Sequence, residues 1–527
     1  MHRDIIIDDA KLKMKRGIDK VADTVKVTMG VRGKSVLLDT NPYAKPVITN
    51  DGVTIARDLV LEDRLENAGA KQIREVAEKT NDNAGDGTTS SMILMQSIVA
   101  QGLRAIDSGA DGIALREGIR KATQKVVDYL QTEKVDASDE TTLADVATIS
   151  CRDPEIGKLI AEVVMQAGAE GVVTIEDRIE PDTVYEKFEG LKLRGGYLHE
   201  LFTNQAERRQ TVFNDVPVLV TDRAITTANE MARIMETVSN MKQKQAIVFA
   251  SEISGDALAT AAVNWQKQAI FVLPVRVLAY GEAGIGALKD VAAVTGATYL
   301  DQYEKNIIDV TEADFGRADK TVTDKSETVI VTNDEKLKAE RIKQLETVLN
   351  DDATAEFEKE SLRERIAKLT SGIFTIKVGG KTESERNELK TRVDDAIKAA
   401  KAANEAGVVA GGGTALFRAV AKQGKPDVTT DEGIGEAVLY KACSAPLSQM
   451  AENSHYVLDR TDFQEILDPK KAVDFKTCTV VDAFKAGIVD PLKVVQECIE
   501  NASSGAALFL TLDAAVIDVK DEQPERL

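Results

Sequence analysis

The order of textures along these 527 residues restricts the fold more than any single motif does. Residues 9–130 are mostly helical in pattern, short β-rich runs begin near residue 170, and helical texture returns from residue 411. In the first segment Met14, Ile18, Val21, Ala22, Val25 and Met29 fall at i, i+4, i+7, i+8, i+11 and i+15, which predicts one face of a long helix. "LENAGAKQIREVAEKTND" and "TTSSMILMQSIVAQGLRAI" are two further helices. The β-rich runs are "GVVTIED", "VPVLVTD", "QAIVFASE" and "AIFVLPVRVL". Helical "ANEMARIMETVSNM" separates the second from the third, and "GDALATAAVNWQKQ" precedes the fourth. This alternation predicts a small α/β domain with parallel strands. The charged stretch 334–370, broken at "NDDAT", reads as two antiparallel helices, followed by the strand "GIFTIKVGG" and the helix "SERNELKTRVDDAIKAAKAANEA". A chain this long exceeds one compact core. Helical, mixed and helical in that order predicts a domain built from both chain ends, with the α/β domain inserted into it.

Composition narrows the partners. A net charge of −20 argues against nucleic acid or an anionic membrane as the main partner, and aromatics at 4% provide no stacking platform for bases. Cys151, Cys443, Cys478 and Cys498 lie far apart with no C-x-x-C pair, so buried free thiols in a reducing compartment are expected. The histidines His2, His199 and His455 are too scattered for a metal cluster or a triad. No apolar run reaches the roughly 18 residues of a membrane span, and the opening "MHRDIIIDDAKLKMKRG" reads as cytosolic, which places the chain in the cytoplasm.

The chemistry concentrates in "NDNAGDGTTSSMILMQS", residues 81–97. A glycine loop leading into a helix points unpaired backbone N–H groups outward with the positive end of the helix dipole behind them, a geometry that binds phosphate. Thr88, Thr89, Ser90 and Ser91 add hydroxyl donors. A carboxylate in such a cradle repels an anion unless a hard cation lies between, so Asp86 points to Mg²⁺ bridging to phosphate oxygens. A plain helix cap after a glycine turn explains the same residues, and on this motif alone it is the better explanation.

Other segments shift that balance. "TVKVTMGVRGKSVLLD" closes the first helix with Gly30 and Gly33 before a strand, and "PVITNDGVTIARDL" has a strand, an Asn-Asp-Gly turn and a second strand or helix start. "GVVAGGGTALFRAV" runs through three glycines into a helix. With "ENAGAKQIREVAEKTNDNAGDGTT", "TISCRDPEIGKLIAE", "EGLKLRGGY", "RERIAKLTSGIFTIKVGG", "RVDDAIKAAKAA" and "AGIVDPLKV" these form an ordered series over nearly the whole chain. By that series the chain resembles the group I chaperonins, the GroEL-like, chaperonin-60 type, as a divergent member.

The resemblance implies a multidomain α+β and α/β protein with the chaperonin fold: a helical equatorial ATP-binding domain (1–132 and 406–527), a small intermediate hinge domain (133–188 and 374–405) and an inserted α/β apical client-binding domain (189–373). It implies an ATP-dependent ring chaperonin: a Mg²⁺-dependent ATPase, with K⁺ allowed as a second cation, that captures non-native polypeptides and promotes their folding. Its partners would be copies of itself in seven-membered rings, unfolded polypeptide clients and, where one exists, a co-chaperonin lid. Carried over by position, Thr28, Met29, Gly30 and Val31 contact phosphate and base, with Asn50 beside them. Asp86 is the Mg²⁺ ligand, with Gly87, Thr88, Thr89 and Ser90 on the phosphates. Gly412 faces ribose and base, Asp474 lies in the base-contacting segment, and Asp490 takes the ribose hydroxyls. Asp395 aligns and activates the attacking water, and Asp51 is a second acid near the γ-phosphate. Helical period alone places Asp395 opposite the stripe Leu389, Val393, Ala396, Ile397 and Ala400, which predicts a solvated acid. The client surface maps to Tyr197, His199, Leu201, Phe202, Ala232, Met235, Leu258, Ala262 and Val263, although for Leu258 and Val263, on a periodic helix, ordinary core burial is by itself the better explanation.

Departures from the family pattern are local. Val31 replaces the usual proline after T-L-G, Asn50 replaces a lysine and so removes a cation from the phosphate site, and "VDFKT" (473–477) replaces the base-contacting segment. "LAYGEAGI" (278–285) replaces an apical motif, and segment 264–285 has no room for the built-in lid of group II chaperonins. Asn50 and "VDFKT" support an alternative function, a nucleotide-binding, client-holding scaffold with little productive turnover. A metabolic kinase finds no support, since a P-loop lysine is absent.

Overall fold

The structure is a computed structural model describing residues 2–6, 10–39, 46–168, 171–178, 180–188, 190–205, 208–277, 281–301, 303, 305–332, 334–350, 356–370 and 372–519. The chain divides into two compact units, one of Met1–Met165, Asp177–Asp182 and Val378–Leu527, the other of Gln166–Glu176 and Thr183–Lys377. Among the described residues no helix is long and apolar enough to cross a membrane.

The first unit is a helical assembly drawn from both chain ends. Helix Ala10–Val25 buries the predicted stripe Met14, Ile18, Val21, Ala22 and Val25. It stops at Val25, however: residues 26–28 tighten into a 3₁₀ turn, and Met29 packs in a separate cluster with Met450, Val473 and Phe475. Helices Arg64–Ala84 and Thr88–Asp107 share the main core with Ala10–Val25 and with Leu492–Leu510 from the far end of the sequence. Apolar residues at helical spacing on all four close one core, which is why distant segments fold as one body. The ambiguous segment after "NDG" is a helix, Gly52–Asp58, because the Asp51 carboxylate accepts from the N–H groups of Val53 (3.2 Å) and Thr54 (2.9 Å) and caps it. Helix Glu383–Ala406 packs against helix Glu140–Cys151 in this unit.

The second unit is built on a seven-stranded sheet. Strands Thr211–Thr221, Gln245–Ala250 and Phe271–Val277 pair in parallel, as the alternating pattern predicts, and Tyr299–Leu300 joins them. The first predicted run, "GVVTIED", instead forms Val172–Asp177 in a separate three-stranded sheet with Ile373–Val378 and Val184–Phe188. The sheet as a whole is mixed, because Gly190–Tyr197, Gly316–Thr323 and Glu327–Val331 join it antiparallel. Helix Ala228–Asn240 starts with a capping box between Thr227 and Glu230. Trp265, on helix Gly255–Gln266, meets Phe202 and Phe271 edge-on at 5.4 and 5.1 Å between centroids. The charged stretch forms helices Glu335–Leu349 and Glu356–Thr370, while its break, at 351–354, lies outside the described residues, as do 278–280 of "LAYGEAGI". Both helices are held by one buried carboxylate: Asp290 accepts from Arg341 Nε at 2.8 Å and from Arg365 Nε and Nη2 at 2.7 Å. The ion pairs add to an apolar stripe, since Leu345, Leu362 and Leu369 are buried in the core of the unit with Ile342, Leu349 and Ile366 against it.

Candidate functional site

The "GDG" loop joins two helices of the first unit. Gly85 ends helix Arg64–Ala84 in the left-handed region (φ 74°), and Gly87 precedes helix Thr88–Asp107 at φ 83°. Neither position tolerates a side chain: a Cβ at Gly85 would stand 2.2 Å from the Lys398 side chain, and one at Gly87 2.4 Å from Cys498 Sγ. No side chain caps the second helix, so its first N–H groups keep their capacity for an outside acceptor. Between the glycines, half-buried Asp86 takes the Gly87 N–H at 2.5 Å.

Three further acids come to this loop from distant parts of the sequence. Asp51 caps its helix beside it; a Cβ on the next residue, Gly52, would lie 2.6 Å from Thr89 Oγ1 and 3.1 Å from Thr88 Oγ1. Asp395 arrives on helix Glu383–Ala406. Burial, then the charges of Asp51 and Asp86, push its carboxyl well above the ordinary range. Burial also raises Asp86, helped by Asp51 and opposed by the Gly87 N–H and Lys398. Asp490 lies in strand Val489–Pro491, paired antiparallel with Val408–Ala410, and accepts from the N–H groups of Gly412 and Gly413. Burial and Asp86 push it up to about 6 against those two donors. Lys398 pairs with Asp394 at 3.0 Å; burial works against its charge, but Asp394, Asp395 and Asp51 outweigh it and raise its pKa.

Asp395 is therefore not the solvated acid that helical period predicts. It is half-buried among carboxylates, because the polar face of its helix is turned toward the loop rather than toward water. Lys398 was not singled out in the sequence, although its i+3 spacing from Asp395 on one helix is a readable signal. Cys498 was noted only as a free thiol. It lies beneath the loop, 3.1 Å from the Gly87 carbonyl, and burial, Asp86 and Asp490 raise its pKa well above the usual thiol value. Cys151 and Cys443 are buried and free as well, and Cys478 is half-buried.

The remaining candidates form the surroundings. Thr28 is buried and donates to the Val25 carbonyl at 2.9 Å, and Asn453 Nδ2 ties the Lys26 and Met29 carbonyls at 2.9 Å each. Gly30 (φ 82°) rests on Met450, while Val31 is 47% exposed. A Cβ at Gly412 would lie 3.5 Å from the Val473 carbonyl oxygen and 3.9 Å from the Ile488 and Phe475 side chains, so this glycine faces a wall with two apolar side chains. Asp474 is engaged elsewhere: it sits in a hairpin and accepts from Lys476 N (2.8 Å) and Thr477 Oγ1 (2.9 Å) of its own turn. With its amide oxygen turned to Arg152, Asn50 accepts from both Nη atoms at 3.0 Å.

In the second unit the expected apolar surface is narrower than nine residues. Phe202 is fully buried, and Tyr197 and Met235 are 5% and 6% exposed, all three within the sheet-and-helix core. Phe202 packs edge-on against Trp265, Tyr197 is the last residue of sheet strand Gly190–Tyr197, and Met235 is on the buried face of helix Ala228–Asn240. Ala232 and His199 are exposed, Val263 is 46% exposed, and Leu201, Leu258 and Ala262 are half-buried.

An inserted α/β unit within a helical unit drawn from both chain ends, with acids gathered at a glycine loop, is the organisation of a chaperonin. The sequence profile of the TCP-1/cpn60 chaperonin family matches residues 21–520, and the chain belongs to that family. Its fold is similar to that of the chaperonin gp146 from bacteriophage EL 2 (Pseudomonas aeruginosa), solved in the presence of ATP-BeFx. Crystal form II of that protein gives a TM-score of 0.70 at 19% identity, covering 98% of this chain and 99% of that one. Form I gives 0.63 at 19% identity, covering 97% and 98%.

Proposed function

We propose that this chaperonin is an ATP-driven ring machine that captures non-native polypeptides and promotes their folding through Mg²⁺-dependent hydrolysis. The observation that carries the reading is the convergence of Asp51, Asp86 and Asp395 on a glycine loop at an uncapped helix N-terminus. The Asp51 charge raises the pKa of both Asp86 and Asp395, so the cluster is short of positive charge, which fits a site completed by a cation. Among the described residues no group of three or more acids, histidines or cysteines could hold a metal by itself. Mg²⁺ characteristically takes one or two carboxylates and draws its other ligands from phosphates and water, so Asp86 with a bound nucleotide suffices. When bound, the ion neutralises phosphate charge.

The chain's own groups do the rest. The N–H groups after Gly87 and the hydroxyls of Thr88, Thr89 and Ser90 hold phosphate oxygens. Asp490, already positioned by two glycine N–H groups, accepts from ribose hydroxyls, and Gly412 lets the nucleoside approach the wall at Phe475. Asp395 holds the attacking water and takes its proton as the water oxygen bonds to the γ-phosphorus and the bond to the β,γ-bridging oxygen breaks. A raised pKa makes this carboxylate a stronger proton acceptor than an ordinary one. Asp51 orients the same water while capping its helix. In the second unit, Ala232, Val263 and the half-buried Leu201, Leu258 and Ala262 form the client surface.

The alternative, a client-holding scaffold with little turnover, is favoured by two observations: Asn50 stands where a phosphate cation is expected, and the Asp474 carboxylate is engaged by its own turn. Steady-state phosphate release with and without Mg²⁺ and unfolded protein separates the two. Mg²⁺-dependent release that responds to clients supports the machine, whereas binding without release supports the scaffold. Negative-stain images with and without ATP test the ring.

A further inference from the structure

The acid cluster has too little positive charge for the ligand proposed above. The lysine acting on Asp86 and Asp395, Lys398, is already paired with Asp394 at 3.0 Å. A nucleoside triphosphate carries more negative charge than one divalent ion offsets. A second cation at the terminal phosphate would offset the remainder, because like charges at close range in a partly desolvated site are strongly unfavourable.

Arg152 adjoins this site through Asn50, the position where a phosphate-binding cation is expected. It ends helix Glu140–Cys151 in the left-handed region (φ 60°), with its backbone N–H on the Thr148 carbonyl. Both Nη atoms reach the Asn50 amide oxygen at 3.0 Å, and Asn50 is the chain neighbour of Asp51. Among the described residues no carboxylate is within ion-pair distance of Arg152. The charged groups around it are Glu388 and Arg392, of which Arg392 bonds Glu388 at 3.4 Å and the Cys151 carbonyl at 3.0 Å. Arg152 is exposed, so it is not a core strut. A guanidinium resting on a neutral amide is weakly held, since a bond to an ionised oxygen is roughly twice as strong as one between neutral groups.

We propose that Arg152 is the second cation of this site: parked on Asn50 in the absence of ligand, it binds the terminal phosphate of a nucleoside triphosphate and so distinguishes triphosphate from diphosphate. The proposal rests on the nucleotide reading above. A planar guanidinium suits this task because its fork can engage two phosphate oxygens at once.

The test measures dissociation constants for Mg·ATP and Mg·ADP, with phosphate release, on the full-length protein. The variants are Arg152→Gln, Arg152→Lys, Asn50→Lys and the double variant Arg152→Gln with Asn50→Lys. Arg152→Gln is expected to weaken ATP on the order of tenfold or more while ADP changes less than about twofold. Arg152→Lys should recover part of the loss. In the Asn50→Lys background the effect of Arg152→Gln should shrink, because the new lysine supplies the missing charge. Equal losses for ATP and ADP would make Arg152 structural and overturn the proposal, as would unchanged ATP affinity in both Arg152 variants. Wild-type protein that binds neither nucleotide would overturn the nucleotide reading, and this proposal with it.

Discussion

Arg418 and Glu133 form a sealed bidentate pair: Arg418 Nε lies 2.9 Å from Oε1 and Nη2 lies 2.8 Å from Oε2, with side chains 0% and 6% exposed. Arg418 Nη1 also donates to the carbonyls of Ile466 (3.0 Å) and Lys471 (3.3 Å). The pair therefore braces the helix that follows Gly412 and Gly413 against the segment leading into the Asp474 hairpin. Arg418→Met leaves Glu133 buried without its partner and should cost about 3–5 kcal/mol, whereas Arg418→Met with Glu133→Leu should recover most of it. Chemical unfolding of the three proteins checks both expectations.

Asp86→Ala should abolish Mg²⁺-dependent nucleotide binding or turnover, because Asp86 is the acid inside the loop between Gly85 and Gly87. Binding measured by calorimetry with Mg²⁺ and with EDTA is the check. A mutant that hydrolyses ATP at the wild-type rate would remove Asp86 from the metal site.

Asp395→Ala should form normal assemblies and bind ATP with near wild-type affinity, since an interaction made only on the way to the transition state lowers kcat and not binding. Removing a positioned base typically lowers the rate on the order of 10²–10⁴-fold. Single-turnover hydrolysis beside equilibrium binding tests this, and a loss of assembly would make Asp395 structural.

Asp490 makes a pH prediction with a definite sign. Its carboxyl is raised from 3.8 to about 6 in the folded protein, so the folded state binds the proton more tightly than the unfolded chain. The associated stability is fully present below the unfolded value near 3.8 and is lost as pH rises through about 6. Asp490→Asn removes this dependence. The difference in thermal midpoint between mutant and wild type, without nucleotide, should grow in the mutant's favour as pH rises from about 4 to about 6 and then level off. A difference that is flat across the window would mean that Asp490 is not burdened by burial and Asp86.

Val263 and Phe202 should respond in opposite ways. Val263→Glu changes an exposed position and should lower capture of a denatured test protein while moving the thermal midpoint little. Phe202→Ala opens a cavity beside Trp265 and should destabilise by roughly 3–5 kcal/mol. Light scattering of an aggregating client and thermal unfolding read the two effects separately.

What was legible in the sequence is what local chemistry encodes. Apolar spacing identifies the buried stripe of the first helix, alternation of strand and helix identifies the inserted α/β unit, and glycines around one acid identify the loop at residues 85–87. The family resemblance drew attention to Asp51, Asp395 and Asp490, but the sequence by itself left Asp395 on a solvated face. Only tertiary structure turned that face toward Asp86, because periodicity says which side of a helix is apolar and nothing about what its polar side meets. The same limit hid Lys398 beside the loop, Cys498 beneath it and Arg152 on Asn50, each brought there by packing between segments far apart in the chain. It also withdrew Tyr197, Phe202 and Met235 from the surface. An apolar side chain reads alike in a core and in a binding groove, and only the neighbours that close over it, such as Trp265 against Phe202, decide between them.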